Sequence, residues 1–132
     1  MNEKDILIVE DDEITALNLK ISLQKQNYNV VGISYDIRDA KQKIFDLKPE
    51  IIIIDISLQD SHDGIELAKE VRDIHGIPFI FLTSYTDDDI ISQAKLTEPY
   101  GYIENHLTQI HFMLLCRWLF LNIIQNKHLK RR

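Results

Sequence analysis

The chain has 132 residues and a formal net charge of −6, with 15 Lys and Arg against 21 Asp and Glu. This length predicts a single domain over residues 1–132, and the acidic balance argues against nucleic-acid binding, which needs clustered cations. The one cysteine, Cys116, excludes an internal disulfide bond and a cysteine-rich zinc site. Because the N-terminus also shows no signal-peptide pattern, a reducing, cytoplasmic location is expected.

Four short apolar runs predict strands over residues 6–9, 30–33, 51–54 and 79–82, with a weaker fifth candidate at 101–103. The runs are rich in β-branched or aromatic residues and are continuous rather than alternating. This pattern is typical of strands that are covered on both faces, as in a parallel sheet.

Between these runs, apolar residues recur every three or four positions, which predicts helices. In the first of them, Ile14, Leu17 and Ile21 define an apolar face. Three more are expected over about 37–47, 65–72 and 90–96, ending near Pro49, Gly76 and Pro99. Strands that alternate with helices predict an α/β fold, a doubly wound (βα)5 five-stranded parallel sheet with helices on both faces.

Acidic and hydroxyl side chains stand where three predicted strands end. Glu10 and Asp11 follow the first strand, Asp55 ends the third and Thr83 ends the fourth. Ligands of such sheets bind beyond the carboxyl ends of the strands, so these side chains are expected to meet at one edge. Carboxylates gathered there need a cation, and hard oxygen ligands suit Mg²⁺. A carboxylate beside Mg²⁺ can also attack phosphorus and form an aspartyl phosphate.

Neighbouring acidic residues have a simpler structural interpretation. Asp12 and Glu13 are expected to cap and begin the first helix, because acidic side chains favour the first turn. The same explanation does not suit Asp55, since an unpaired charge at the end of four buried isoleucines is costly.

Three segments match a known family in both order and spacing. They read Ile-Leu-Ile-Val-Glu-Asp-Asp-Glu at 6–13, Ile-Ile-Asp-Ile-Ser at 53–57 with Asp-Gly at 63–64, and Ile-Pro-Phe-Ile-Phe-Leu-Thr-Ser at 77–84. Together they resemble the receiver domain of two-component response regulators over about residues 6–103. The resemblance implies a flavodoxin-like fold and a signalling role.

The resemblance also implies the roles of the acidic residues. Asp55 matches the phosphoacceptor, and the donor would be a phosphohistidine on a sensor histidine kinase or phosphotransfer protein. Asp11 matches the direct Mg²⁺ ligand, and Glu10 matches a second acid that acts through water. Ser57 matches the position that offers its backbone carbonyl to the metal.

Two further positions match the family's switch. Thr83 matches the switch hydroxyl, and Tyr102 matches the aromatic residue whose ring turns inward on phosphorylation, although it could be an ordinary strand aromatic. Phosphorylation would then change the face formed by helices 4 and 5. Because self-catalysed phosphotransfer and dephosphorylation serve signalling, the resemblance implies a protein that is not an enzyme.

The chain departs from the family after residue 103, where Glu104 replaces an apolar residue. Asn105 stands at the position of the family's lysine, and His106 at that of the following proline. An amide can donate a neutral hydrogen bond but supplies no charge. We therefore expect phosphorylation that is slower, weaker or poorly coupled to switching.

The C-terminal segment also diverges, as an apolar helix over about residues 107–127. Between 112 and 124 every residue is apolar except Arg117 and Asn122. The run is too short, and Arg117 too central, for membrane insertion to be expected. One side should cover the sheet, while the other, including Trp118 or Phe120, should form an exposed patch for a homodimer through this helix.

The origin of this segment has two explanations. Codons GAA-AAC-CAT-TTA-AC would encode residues 104 to the start of 108 and, read two bases later, give Lys-Pro-Phe-Asn. The segment is therefore either an evolved tail or the product of a shifted reading frame, and the sequence leaves both open.

Three functions are compatible with these residues. The first is a phosphoacceptor domain, and the second is a degenerate receiver that acts as an interaction or dimerisation module without phosphorylation. The third is a Mg²⁺-dependent hydrolase, which is disfavoured because Ser57 stands where a second aspartate would serve as the general acid. The chain either acts through protein contacts alone or forms part of a larger regulator.

Overall fold

The computed structural model of the chain describes residues 4–58, 63–83, 88–104 and 109–130. Its strands form one parallel sheet in the order β2-β1-β3-β4-β5. The strands are β1 (Asp5–Val9), β2 (Asn29–Ser34), β3 (Ile51–Asp55), β4 (Phe79–Thr83) and β5 (Tyr102–Glu104). This confirms the predicted five-stranded parallel sheet, and the weak fifth run is its short edge strand.

In the described residues, five α-helices connect or follow the strands. They are α1 (Glu13–Lys25), α2 (Ile37–Leu47), α3 (Asp63–Glu70), α4 (Asp88–Lys95) and α5 (Gln109–Lys130). Helix α3 continues into a π-helical segment, Val71–His75, which ends at Gly76 with a φ of 64°. The α5 bounds agree broadly with the apolar helix expected over about 107–127.

The helices cover both faces of the sheet. Helices α1 and α5 pack on one face, against side chains that include Ile6, Ile8, Ile51 and Ile53. Helices α2, α3 and α4 pack on the other, against Leu7, Val9, Ile52 and Ile54. Successive strand residues therefore point to opposite buried faces, which explains why the strands read as continuous apolar runs.

Helix α1 has two apolar rows, and the sequence pattern identified the wrong one as its packing face. The row that meets the sheet is Ala16, Leu19 and Leu23. Ile14, Leu17 and Ile21 are exposed instead. The start of the helix agrees with prediction, because the Asp12 side chain caps it by accepting a 2.9 Å hydrogen bond from the amide of Thr15.

Helix α5 buries one side and exposes the other, as expected. Phe112, Cys116 and Phe120 belong to the core, whereas Trp118 is 62% exposed. Of the two aromatic residues proposed for a surface patch, Trp118 is therefore at the surface and Phe120 is not. Within the described parts of the chain, no helix has the length and apolar character needed to cross a membrane.

Candidate metal and phosphoryl site

Three carboxylates converge at the carboxyl ends of β1 and β3. These strands are direct neighbours, with Val9 paired to Ile54, so the residues that follow them meet at one edge. Carboxylate oxygens of Glu10, Asp11 and Asp55 all lie within 4.8 Å of one another. The structure therefore brings together the three acidic residues that the sequence placed in one site.

Asp55 is held in place by the turn that follows β3. Its Oδ1 atom accepts a 3.0 Å hydrogen bond from the amide of Ser57, and the Ser57 hydroxyl lies 3.4 Å from the same oxygen. The amide of Ile56 donates to the carbonyl of Leu82 at 2.9 Å, which ties the turn to β4. These contacts point the carboxylate toward the acidic cluster. They involve the Ser57 amide and hydroxyl, so the predicted metal contact of its carbonyl stays a prediction.

Burial raises the pKa of Asp55 above its usual value, since its residue surface is only 8% exposed. The hydrogen bond from the Ser57 amide lowers this pKa, and the neighbouring Asp11 raises it. After burial, the largest influences come from Ser57, Glu10 and Asp11, and none of these is a cation. A positive charge beside Asp55 would favour the ionised, nucleophilic form.

Glu10 is the most deeply buried of the three acids. It is 3% exposed, and burial raises its pKa from 4.5 to about 8, with the nearby Asp55 as a further cause. Its Oε2 atom accepts a 3.0 Å hydrogen bond from the amide of Asp12. A hydrogen bond between the two side chains raises the pKa of Glu10 and lowers that of Asp55. Burial thus favours the protonated form of Glu10, and the interaction with Glu10 favours the ionised form of Asp55.

This donor set fits a hard divalent cation. Ionised carboxylates held this close repel each other, and a cation would offset that repulsion and favour their ionised forms. Asp11 is exposed, so the cluster opens to solvent on its side. An open side suits Mg²⁺, which keeps several waters and is commonly bound through a few carboxylates together with phosphate oxygens.

Thr83 ends β4 beside the acidic cluster. Asp55 is paired with Leu82 across the sheet, so Thr83 lies one residue beyond the level of Asp55. Its residue surface is 7% exposed. A hydroxyl at this edge can donate to an oxygen of an incoming phosphoryl group.

Tyr102 lies in β5, directly across from Phe81 of β4. The two rings are stacked, with centroids 6.0 Å apart and an interplanar angle of 26°. The hydroxyl oxygen of Tyr102 is buried and has no hydrogen-bond partner among the described residues. The ring therefore packs inward, against the cluster formed with α2, α3 and α4.

Asn105, the position of the family lysine, lies outside the described residues, as does His106. The sequence analysis did not anticipate two features of the site. The first is the raised pKa of Glu10 beside Asp55, which has no sequence signal because burial causes it. The second is the close approach of Gly64, at the start of α3, to the backbone of Asp55, which the Asp-Gly pair at 63–64 could have suggested.

Comparison with known proteins agrees with this fold and site. The family model of the response regulator receiver domain matches residues 6–113. The chain is 34% identical over 100 residues to the response regulator protein VraR of Staphylococcus saprophyticus. The aligned residues cover 74% of this chain and 47% of VraR. It is 26% identical over 98 residues to the transcriptional regulatory protein PdtaR of Mycobacterium tuberculosis, with the same two coverages, 74% and 47%.

Solved structures show the same architecture. The signal receiver domain of a modulated diguanylate cyclase from Desulfovibrio desulfuricans G20 is 30% identical, with a TM-score of 0.77 over 92% of this chain and 99% of that one. The N-terminal domain of a three-domain response regulator/sensory box/GGDEF protein from Carboxydothermus hydrogenoformans is 27% identical, with a TM-score of 0.80 over 95% and 100%.

The chain belongs to the response regulator receiver domain family of two-component signalling. It spans about half the length of the curated relatives named above.

Proposed function

We propose that the chain accepts a phosphoryl group on Asp55 with the help of Mg²⁺ and transmits this event through its surface. The convergence of Glu10, Asp11 and Asp55 at one sheet edge carries the proposal. Bound Mg²⁺ would offset the negative charge of both the carboxylates and the phosphoryl group. Asp11 and Asp55, with the Ser57 carbonyl, would hold it, and Glu10 would act through water.

The chemistry of this chain is the attack of an Asp55 carboxylate oxygen on phosphorus. A P–O bond forms to Asp55 while the P–N bond to the imidazole of a phosphohistidine donor breaks, and the departing imidazole takes up a proton. The Ser57 amide orients the carboxylate that reacts. A protonated Glu10 beside Asp55 would favour the ionised, nucleophilic form of Asp55, because its hydrogen bond lowers the pKa of that carboxyl.

Thr83 and Tyr102 would link this event to the surface. The Thr83 hydroxyl would donate to a phosphoryl oxygen, and β4 would move relative to β5. The Tyr102 ring already packs inward on Phe81. Phosphorylation would therefore stabilise the ring orientation that this structure already has. In this inward orientation the Tyr102 hydroxyl is buried without a hydrogen-bond partner, which costs free energy. A ring turned outward would avoid that cost.

The wider role follows from the family. A sensor histidine kinase or phosphotransfer protein would be the donor, the setting would be the cytoplasm, and the chain would not act as an enzyme on other substrates. Self-association through the face that contains α5 belongs to the same proposal.

Beryllofluoride, which imitates a phosphoryl group, tests this assignment by NMR. With Mg²⁺, it should shift the amide signals of Thr83 and Tyr102 in the wild-type chain and leave those of Asp55→Asn unchanged. Asp12→Asn is the matched control, because it alters a neighbouring acid that caps α1. A wild-type spectrum that does not respond would instead support the degenerate interaction module.

A further inference from the structure

The side chain of Arg72 joins the C-terminal end of α4 to the end of the helix that precedes β4. Its Nη1 atom donates a 2.7 Å hydrogen bond to the backbone carbonyl of Leu96, and it lies 3.7 Å from Oε1 of Glu98. The Nε atom of Arg72 donates at 2.8 Å to Oδ1 of Asp73, which orients the guanidinium group. One planar group therefore holds two residues of the segment that follows α4.

The hydrogen bond to Leu96 completes the end of α4. The last four carbonyl groups of a helix find no partner within the helix itself. The amides of residues 96–98 donate to the carbonyls of residues 93–95 at 3.0 to 3.2 Å. The next carbonyl, that of Leu96, accepts from Arg72. A side chain from a neighbouring helix thus supplies the final cap of α4.

The backbone at this helix end is strained. Glu98 has a φ of 59°, in the left-handed region, where helices usually place a glycine. The residue before it, Thr97, is fully buried, and its hydroxyl donates at 2.6 Å to the carbonyl of Ala94. Because the Glu98 side chain is 80% exposed, its ion pair with Arg72 adds little. The hydrogen bond to Leu96 is therefore the stronger contact that Arg72 makes with this segment.

Arg72 itself has a firm base. It lies in the π-helical segment Val71–His75, and π turns are rare and recur at functional sites. The amide of Gly76 closes this turn by donating at 2.8 Å to the carbonyl of Val71. The side chain of Val71 is buried in the cluster formed with α2, α3 and α4. Arg72 therefore attaches α4 to a part of the chain that is packed in the core.

The segment held by Arg72 leads directly to Tyr102. Only the five residues 97–101 separate Leu96 from Tyr102. Two backbone hydrogen bonds, of 2.9 and 3.0 Å, tie residues 100 and 101 to β4. The inward ring of Tyr102 packs against the same buried cluster as Ala94 of α4. The position of α4 and the inward ring thus belong to one packing arrangement.

We propose that Arg72 is a positioning residue that, by capping α4, stabilises the arrangement in which the Tyr102 ring packs inward. This inference rests on the proposed function, in which phosphorylation favours the same arrangement. A contact that is stronger in one arrangement than in another shifts the population toward the first. Arg72 therefore raises the affinity of the Asp55 site for a phosphoryl group, although it does not touch that site.

Fluorine NMR of the chain labelled with fluorotyrosine reports the environment of the ring. The signal that disappears in Tyr102→Phe assigns the Tyr102 resonance. In Arg72→Gln this resonance should move or split, because the outward ring becomes more populated. Arg72→Lys keeps the charge and one donor, so its resonance should stay closer to that of the wild type.

Lys69→Gln is the matched control for these variants. It also removes a cation from α3, but the ion pair of Lys69, with Glu66 at 3.2 Å, stays within that helix. The Tyr102 resonance of Lys69→Gln should therefore match that of the wild type. Circular dichroism should show the wild-type helix content in every variant, since these side chains are at the surface.

Titration of the same samples with beryllofluoride and Mg²⁺ measures the effect on the Asp55 site. Arg72→Gln should bind about threefold to tenfold more weakly than the wild type, as expected for the loss of one hydrogen bond. An unchanged Tyr102 resonance in Arg72→Gln, or equal affinities of Arg72→Gln and the wild type, would overturn the proposal. A wild type that does not bind beryllofluoride would refute the phosphoacceptor function, and the Tyr102 resonance would still decide the role of Arg72.

Discussion

Gly64 approaches the backbone of Asp55 so closely that no larger residue fits. A methyl group on its α-carbon would lie 2.1 Å from the carbonyl oxygen of Asp55 and 3.1 Å from that of Ile56. Both obstacles are backbone atoms of the turn that positions the phosphoacceptor. The start of α3 and the end of β3 are thus packed together through the lack of a side chain at position 64.

This contact predicts that Gly64→Ala lowers the free energy of unfolding by about 2–3 kcal/mol, because the backbone cannot yield as a side chain can. It should also weaken Mg²⁺ binding, since the Asp55 turn must shift. Urea denaturation measures the first effect and calorimetric titration the second. Gly101→Ala is the control: its new methyl would lie 2.5 Å from Cδ2 of Leu119, the end of a flexible side chain. An equal loss of stability in both variants would contradict the account.

Binding of Mg²⁺ should depend on pH through Glu10. The pKa of Glu10 is about 8 in the folded chain, so a bound cation that favours its carboxylate must displace a proton at pH 6 or 7. The apparent affinity for Mg²⁺ should therefore rise by about tenfold for each unit that the pH increases below about 8, and level off above that pH. Calorimetry in buffers of different ionisation enthalpy would count the released proton. Glu10→Gln should flatten the profile, and a flat wild-type profile would contradict the raised pKa of Glu10.

The same pKa shift has a consequence for stability in the absence of divalent cations. The folded chain holds the Glu10 proton more tightly than the unfolded chain, whose pKa is near 4.5. Between pH 4.5 and about 8, unfolding therefore releases a proton from Glu10. The free energy of unfolding should fall as the pH rises through this window, and Glu10 should contribute up to about 1.4 kcal/mol per pH unit to that fall. Glu10→Gln imitates the protonated side chain, so its unfolding free energy should vary less with pH. Urea titrations at several pH values in EDTA would measure the free energy of unfolding of the wild type and of Glu10→Gln. The same pH dependence in both proteins would contradict this prediction.

Replacement of the divergent Asn105 should strengthen the phosphorylation reaction. A lysine there would supply the cation that the family places beside the phosphoacceptor, and we expect faster labelling of Asn105→Lys by acetyl phosphate. Asn29→Lys is the matched control, because Asn29 begins β2 at the opposite end of the strands and bonds to Asp5. If Asn105→Lys and the wild type were labelled at equal rates and gave equal conformational responses, the missing lysine would not limit the reaction and the prediction would be wrong.

The origin of the C-terminal segment is a separate question with a direct test. A shifted reading frame requires the codons GAA-AAC-CAT-TTA-AC for residues 104 to the start of 108. The nucleotide sequence of the gene decides the matter, because any codon choice that does not yield Lys-Pro-Phe two bases later excludes the shift.

Much of the architecture could be predicted from the sequence because the strands are buried on both faces. That burial produces continuous apolar runs such as residues 51–54, and the ends of three of these runs, at Glu10, Asp55 and Thr83, identified candidate residues of the site. The meeting of Asp11 and Asp55 followed from strand ends alone. These features depend on local sequence and on the rule that parallel strands end at a common edge.

Other features arise only from packing. Helix α1 contains two apolar rows, and nothing in its periodicity shows that Ala16, Leu19 and Leu23 rather than the Ile14 row meet the sheet. The raised pKa of Glu10 depends on burial and on its distance from Asp55, neither of which is visible in the sequence.

The most direct test of the central claim is phosphorylation of the purified chain by acetyl phosphate, followed by intact-mass analysis. With Mg²⁺ present, the wild type should gain one phosphoryl group on an acid-stable, base-labile linkage, and EDTA or Asp55→Asn should abolish the gain. A wild type that gains no phosphoryl group with Mg²⁺, or an Asp55→Asn variant that gains it equally, would contradict the account.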